Sequence, residues 1–498
     1  MAGSFEFNRV TFGLPVETFR VDAYIALDER LPVVTEFVMR LLKVCERVPL
    51  ATMRDYFGFN DIEARAVIES LTKQGLLEMS EDEVFLSSFA LEKFEEAGGD
   101  HPRFSKVELK SDTVTFDLVS FTPLRFTPAD MASDNIIKLD AAEDALGNSV
   151  ERARLAYRRH YPEIASMRAD LRERSYGVYS VESVESRRRN YVPVPVSFEL
   201  DQYGHVERRM DEAFERIAPP ELQHFVSEQV TAAIPRTLSL PAAGFEAFIE
   251  AFDLRLLNQY LAGKKFDLLR YLAEVQVGRS VRYAEGVEPM FGNLYLQGNR
   301  ERILERLNDR RLGKRRHGPL LTSLAWLVPD YPLWGRGDAF AQSVSALSSM
   351  LQTGVHGNDL YLFANADLDE ESVVTNNLRV PYLHELHFVR PQATGGRLMA
   401  GRVEILLYPT AFMVAMFHLP VPGNEGLWVP IGFISSLHGH LDTAHKMLCQ
   451  AASGARYGRR ARFNHKVQFA SPSGFDDACT FLNYCPLGNG SLRLSDRS

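Results

Sequence analysis

The chain is poor in cysteine, with four in 498 residues (Cys45, Cys449, Cys479 and Cys485). They are too few and too scattered for a disulfide framework. No apolar run approaches the roughly 18 residues that span a bilayer. The first residues, MAGSFEFNRVTF, lack the basic-then-apolar layout of a secretory leader. A cytoplasmic protein in a reducing compartment is the expectation. Phosphate-binding signatures are missing too: GxxxxGK[ST] occurs nowhere, and no strand pattern leads into GxGxxG. Motor and kinase chemistry therefore have no anchor. Without a Cys-x-x-Cys, no standard zinc spacing is present either.

What is there suits a large globular protein. Hydrophobic residues make up 45% and charged residues 24%, the ordinary balance for a packed fold, and the length predicts several domains. The net charge of -9 is unevenly placed. Residues 1–100 hold 10 Lys/Arg against 19 Asp/Glu, and the remainder balances at 46 against 46. The front is ill suited to a polyanion, whereas the rest can carry local basic patches.

Within that acidic front, PVVTEFVMRLLKVCERV spaces its apolar residues as a helix buried on one face would. PLATMRDYFG reads as a second helix, begun by Pro49 and stopped by Gly58. NDIEARAVIESLTKQG opens on Asn60 as N-cap and closes at Gly75. GLLEMSEDEVFLSS then makes two short strands around an acidic turn. Over about 65 residues this order resembles the winged helix-turn-helix superfamily. The resemblance implies DNA binding, but the third helix presents Glu63, Arg65, Glu69 and Lys73, and the turn carries Glu81, Asp82 and Glu83. A reading helix draws its affinity from neutralised phosphates, so a protein-docking or dimerising module is the better expectation.

Further on, VELKSDTVTFDLVSF and YVPVPVSFELDQYG read as strands, NSVERARLAYRRHYPEIASMRADLRERS as one long helix, and SRRRN as a basic turn. The aromatic stretch from Phe245 reads as a helical pair, and 299–318 as a basic helix with eight Lys/Arg against three acids. Beyond 320, helix and strand signals alternate, which predicts an α/β layer with a partly parallel sheet. The fold class expected is multidomain, α+β with an α/β portion. Its parts are an acidic winged-helix domain over 1–100, a mixed strand and helix region over 101–240, a helical segment over 241–320, and a layered α/β domain over 321–498.

FHLPVPGNEGLWVPIGFISS, residues 417–436, reads as two strands around a Pro/Gly turn. His418 is followed at +2 by Pro420, five further by Glu425, and seven beyond that by Gly432. From about 330 to 445 the spacing resembles the phospholipase D superfamily, with its His-x-Lys, four residues, Asp, six residues, Gly-Ser. In this chain His418 and Gly432 match, Glu425 stands for the acid, Pro420 for the lysine and Phe433 for the serine. The resemblance implies a layered α/β domain in which His418 attacks a phosphodiester and forms a phosphohistidine. Lysines would then neutralise phosphate oxygens, and removing such a donor costs orders of magnitude in rate. No other His-x-Lys occurs, so the motif reads as a degenerate, inactive site.

Two basic segments suit phosphate contact. One includes Arg310, Arg311, Lys314, Arg315 and Arg316. The other, RYGRRARFNHK, offers Arg456, Arg459, Arg460, Arg462 and Lys466 interleaved with Tyr457 and Phe463. His438, His440, His445 and Cys449 crowd one segment without a zinc spacing and read as surface or capping residues. Cys479 and Cys485 read as thiols. No metal or other cofactor is expected. Together these features describe a non-catalytic, nucleic-acid-associated adaptor subunit of a bacterial multiprotein assembly, with protein partners on the winged helix and no membrane. By analogy of fold, phospholipase D-like proteins with accessory winged helices are similar to components of antiviral defence. The alternatives are a metal-independent phosphodiesterase or nuclease using His418, and a winged-helix transcriptional regulator.

Overall fold

The computed structural model describes the chain apart from residues 1–3, 30–31, 97–103, 125–134, 142, 168–174, 202, 236–242, 263–264, 277–285, 314–323, 352–359, 368, 381–382, 384, 390–396, 409–410, 454–459, 465 and 471–498. It divides into two compact units, one of residues 16–126 and 141–189, the other of residues 1–15, 127–140 and 190–498. Both mix helices with sheet, the coarse class expected from the sequence. Among the described residues, no helix is long and apolar enough to cross a membrane.

In the smaller unit, residues 16–29 of the strand Phe5–Glu29 pair antiparallel with the strand Phe104–Asp117. Alternate residues Phe19, Val21, Ala23 and Ile25 are buried, as a sheet with one covered face requires. Their core includes Tyr157, Tyr161 and Ile164 from the helices Ser149–Arg159 and Tyr161–Ser166. The single helix expected from Asn148 thus breaks at His160. Pro162 follows in the first turn of the second helix, where its missing N–H removes no bond; inside a continuous helix it would. The arginines 187–189, expected in a turn, lie within the strand Ser175–Leu200. Arg187 pairs with Glu185 at 3.0 Å and Arg189 with the buried Glu17 at 3.1 Å, so the strand tolerates them.

The same unit contains the segment from 33 to 96. Helices Val33–Cys45, Leu50–Phe57, Asp61–Lys73 and Ser88–Glu96 accompany a three-stranded antiparallel sheet. Its order is Arg47–Pro49, Glu83–Leu86, Leu77–Ser80. Asn60 accepts from the amides of Ile62 and Glu63, and Glu63 reaches back to the Asn60 amide, closing a capping box. Gly58 takes φ +70 at the preceding helix end, a conformation open to glycine. Val38, Met39, Leu42, Ile68, Leu71 and Val84 share one small core.

The larger unit is built on a nine-stranded sheet in the order Val287–Phe291, Asn424–Ser435, Phe412–Val421, Val403–Tyr408, Leu324–Leu327, Leu360–Asn365, Glu385–Val389, Arg460–Asn464, Lys466–Ala470. Its middle three strands from Leu324 to Val389 run parallel and the others antiparallel, which gives the partly parallel layer. The parallel strand Leu324–Leu327 and its antiparallel neighbour Val403–Tyr408 are buried at every position, as strands covered on both faces are. The aromatic stretch forms helices Ala243–Ala251 and Leu268–Gln276. Between them lie the 3-10 turn Arg255–Tyr260 and a two-residue ladder, rather than an uninterrupted helical pair. Phe245 and Phe248 of the first helix lie 5.1 and 5.6 Å from the Phe417 ring.

Candidate functional site: a buried histidine and two basic segments

The stretch 417–436 folds as the expected hairpin, with Met413↔Ser435 through Pro420↔Trp428 in register and a turn at Pro422 and Gly423. Its strands sit inside the sheet, and this decides the chemistry of His418. Phe417 and His418 point to opposite faces. Phe417 enters the aromatic core with Phe245 and Phe248, and His418 turns toward Glu404 on the neighbouring strand. Register places Glu404 opposite Met416 and the His418 amide on the Arg402 carbonyl at 2.9 Å. Glu404 and His418 are therefore diagonal neighbours on one face.

The side chains make a closed group. His418 Nε2 lies 2.9 Å from Glu404 Oε2, and both residues are 0% exposed. Trp326 Nε1 donates to Glu404 Oε1 at 3.0 Å, so each carboxylate oxygen has a partner. With Nε2 committed to the carboxylate, Nδ1 is the remaining imidazole nitrogen, and it has no hydrogen-bond partner among the described residues. Trp428 lies 6.4 Å from the imidazole and stacks on Tyr331 at 4.7 Å with 12° between the planes. The guanidinium of Arg402, a residue 3% exposed, lies 4.8 Å from the Trp428 centroid, within cation–π range. Burial pushes the Tyr331 hydroxyl well above its ordinary value; it donates to the Gly426 carbonyl at 3.0 Å.

A nucleophile needs a path for its substrate, and this imidazole is enclosed by protein. Its hydrogen-bond partner is a carboxylate, which holds the ring, and the cation two residues before Glu404, Arg402, is itself buried over Trp428. Gly432, Phe433 and Pro420 of the motif have packing roles. A Cβ on Gly432 would stand 1.9 Å from the Ala415 carbonyl oxygen, so the sheet itself demands glycine there. Phe433, at the serine position, is buried against Phe252 and His440 at 5.3 and 5.1 Å. Pro420 pairs with Trp428 across the hairpin.

Glu404, Trp326, Arg402, Trp428 and Tyr331 were not singled out by sequence reasoning. Glu404 had a signal: it is the one charge in the strand VEILLY, and carboxylates are rarely buried without a partner.

The basic segments are placed in part. Arg310 and Arg311 fall in the helix Gln297–Gly313; Lys314, Arg315 and Arg316 lie outside the described residues. Earlier in that helix, Arg302 Nη2 meets Glu288 at 3.0 Å and Arg306 bonds the same carboxylate, so these two cations are already engaged. Arg456 and Arg459 lie outside the described residues. Arg460 and Arg462 belong to the strand Arg460–Asn464, and Lys466 opens the returning strand opposite Asn464. The three thus occupy register positions of one parity on a hairpin at the margin of the sheet.

The histidine-rich helix His438–Ser453 disperses its candidates. His445 Nε2 and Cys449 Sγ are 3.6 Å apart, one turn along the helix, and burial raises the thiol above its usual value. His440 instead bonds Ser435 Oγ at 2.9 Å through Nδ1. Among the described residues no three His, Cys, Asp or Glu side chains group to hold a metal ion. Cys479 and Cys485 lie outside the described residues. No protein-family model matches the chain, and no curated protein matches its sequence.

Proposed function

We propose that this chain is a non-catalytic, nucleic-acid-associated adaptor, in which the 33–96 segment is a winged helix that docks a protein and the C-terminal unit contacts nucleic acid. The observation that carries the non-catalytic part is the burial of His418 against Glu404. An imidazole enclosed in a sheet, bound to a carboxylate, holds strands together. The helix–strand–helix–helix–strand–strand–helix order of the 33–96 segment, with its sheet order, supports the winged-helix reading.

The charges of that segment support protein docking over DNA reading. Several of its cations are paired with its own carboxylates: Lys73 with Glu69 at 2.7 Å, Arg54 with Asp61 and Asp55 at 2.8 Å, and Arg47 with Glu83 at 3.7 Å. A phosphate would have to displace them. The C-terminal hairpin carries Arg460, Arg462 and Lys466 with no acid from 456 to 466, and Glu385 of the neighbouring strand stands opposite Arg462 in register.

The test is anisotropy of the full chain with labelled single-stranded and duplex oligonucleotides across a salt series, with cleavage monitored in parallel. Binding without cleavage is expected. The Arg460→Ala, Arg462→Ala, Lys466→Ala triple variant should weaken it for every sequence and flatten the salt slope by roughly one unit per lost phosphate contact. Cleavage abolished in a folded His418→Ala variant would establish the phosphodiesterase instead. Sequence-selective duplex binding lost in Arg65→Ala would establish the transcriptional regulator.

A further inference from the structure

The helix Val33–Cys45 has two apolar stripes, and the fold uses one. Val38, Met39 and Leu42 enter the core of the 33–96 segment, whereas Val33, Phe37 and Val44 are 68%, 53% and 81% exposed. At 100° per residue these three lie within about 40° of one another on the outer surface. With Arg40 between them they follow a four–three–four spacing, the seam spacing of two packed helices. We propose that this stripe is the interface of a symmetric homodimer, in which the helix packs antiparallel against the same helix of a second copy.

The register follows from self-complementarity, which a two-fold interface requires. Placing Val33 opposite Val44 of the second copy brings Phe37 opposite Arg40, and the axis repeats both contacts. The Arg40 guanidinium already lies 5.9 Å from the Phe37 centroid and 4.0 Å from Glu36. It enters the seam with a ring to cover it and a carboxylate beside it. The flanks agree. Glu36 and Lys43 occupy equivalent seven-residue positions on one side of the stripe, and the antiparallel register sets each Glu36 against Lys43 of the second copy. On the other side Val34 meets Leu41.

A parallel pair would stack Arg40 on Arg40 in the seam and bring no Glu36 to Lys43. Nor does the stripe match a basic partner, despite the acidic excess of the first 100 residues. It carries its own Arg40 and Lys43 against one acid. The inference concerns the chain alone and stands whether or not the adaptor reading holds.

Sedimentation velocity on the full chain, without nucleic acid, over a concentration series should show a reversible shift from monomer to dimer. One helix per copy makes a small interface, so the association is weak. Phe37→Glu should abolish the shift, and Lys43→Glu should weaken association roughly tenfold by turning two attractions into repulsions. The exchange Glu36→Lys with Lys43→Glu should restore it. Circular dichroism checks that the variants stay folded, as exposed positions allow.

Register is tested in a background with Cys45→Ser, Cys449→Ser, Cys479→Ser and Cys485→Ser. Val33→Cys and Val44→Cys proteins, mildly oxidised, should form a cross-linked dimer when mixed and not when separate. A chain that stays monomeric throughout would overturn the proposal. So would a dimer indifferent to Phe37→Glu, or cross-linking of Val33→Cys to itself as readily as to Val44→Cys.

Discussion

Replacing His418 by leucine should destabilise the larger unit before it affects any activity. In the native structure Glu404 divides its oxygens between Trp326 Nε1 at 3.0 Å and His418 Nε2 at 2.9 Å, with no water-exposed surface on either partner of the pair. Removing the imidazole leaves a buried carboxylate oxygen without its hydrogen-bond partner, and stranding such a group costs about 3 kcal/mol. For a unit of this size each kcal/mol moves the melting midpoint by roughly 1.4 °C, so the shift is about 4 °C downward. Glu404→Leu should cost at least as much, because it strips both His418 and the indole N–H of Trp326. An orphaned buried donor adds about 1–3 kcal/mol.

The double variant, Glu404→Leu with His418→Leu, should cost less than the two singles together by about 2 kcal/mol, since the pair is removed from both sides. The chain supplies its own probe. All three tryptophans, Trp326, Trp334 and Trp428, belong to the larger unit and are buried there. Intrinsic fluorescence during urea unfolding therefore reports this unit. Additive single costs, or a His418→Leu variant as stable as the wild type, would refute the argument that the imidazole is a structural partner of Glu404.

Three other outcomes follow from local geometry. Gly432→Ala should cost about 3 kcal/mol because its Cβ meets the Ala415 carbonyl. Gly423→Ala, in open space at φ +77, should cost only about 1 kcal/mol; urea midpoints compare the two. Asn60→Ala removes the acceptor of two helix-start amides and should destabilise the 33–96 segment by about 1 kcal/mol, seen as faster amide exchange in residues 61–73. Burial holds His440 below its ordinary value of 6.5, so below that pH the unfolded chain takes up the proton more readily. Stability should fall as pH drops through 6.5 toward the folded-state value and be fully present above it. His440→Gln should flatten that part of the stability–pH curve.

The local rules of the chain were legible in its sequence. Asn60 with Glu63, and Pro49 with Gly58, mark helix ends through short-range hydrogen bonds and backbone conformation, and those ends stand where the residues put them. The hairpin around Pro422 and Gly423 was readable for the same reason. The partly parallel layer was readable from alternating helix and strand signals. One failure was local, the helix expected to run on past Pro162; others depend on distant neighbours. Arg187 to Arg189 look like a turn until the buried Glu17, far off in sequence, accepts one of them across the sheet.

Tertiary structure alone decided what His418 is. Motif spacing can place a histidine two residues before a proline and fourteen before a glycine. It cannot say which charged side chain of the adjoining segment, Glu404 or Arg402, meets the imidazole. The sheet brings Glu404 there, because strands pair by the sum of many contacts that no short window of sequence contains. Sequence therefore determined the helix ends at Asn60 and Gly58 and the turn at Pro422 and Gly423, from forces acting within a few residues. Strand order, which acts across the whole chain, determined that this imidazole is enclosed.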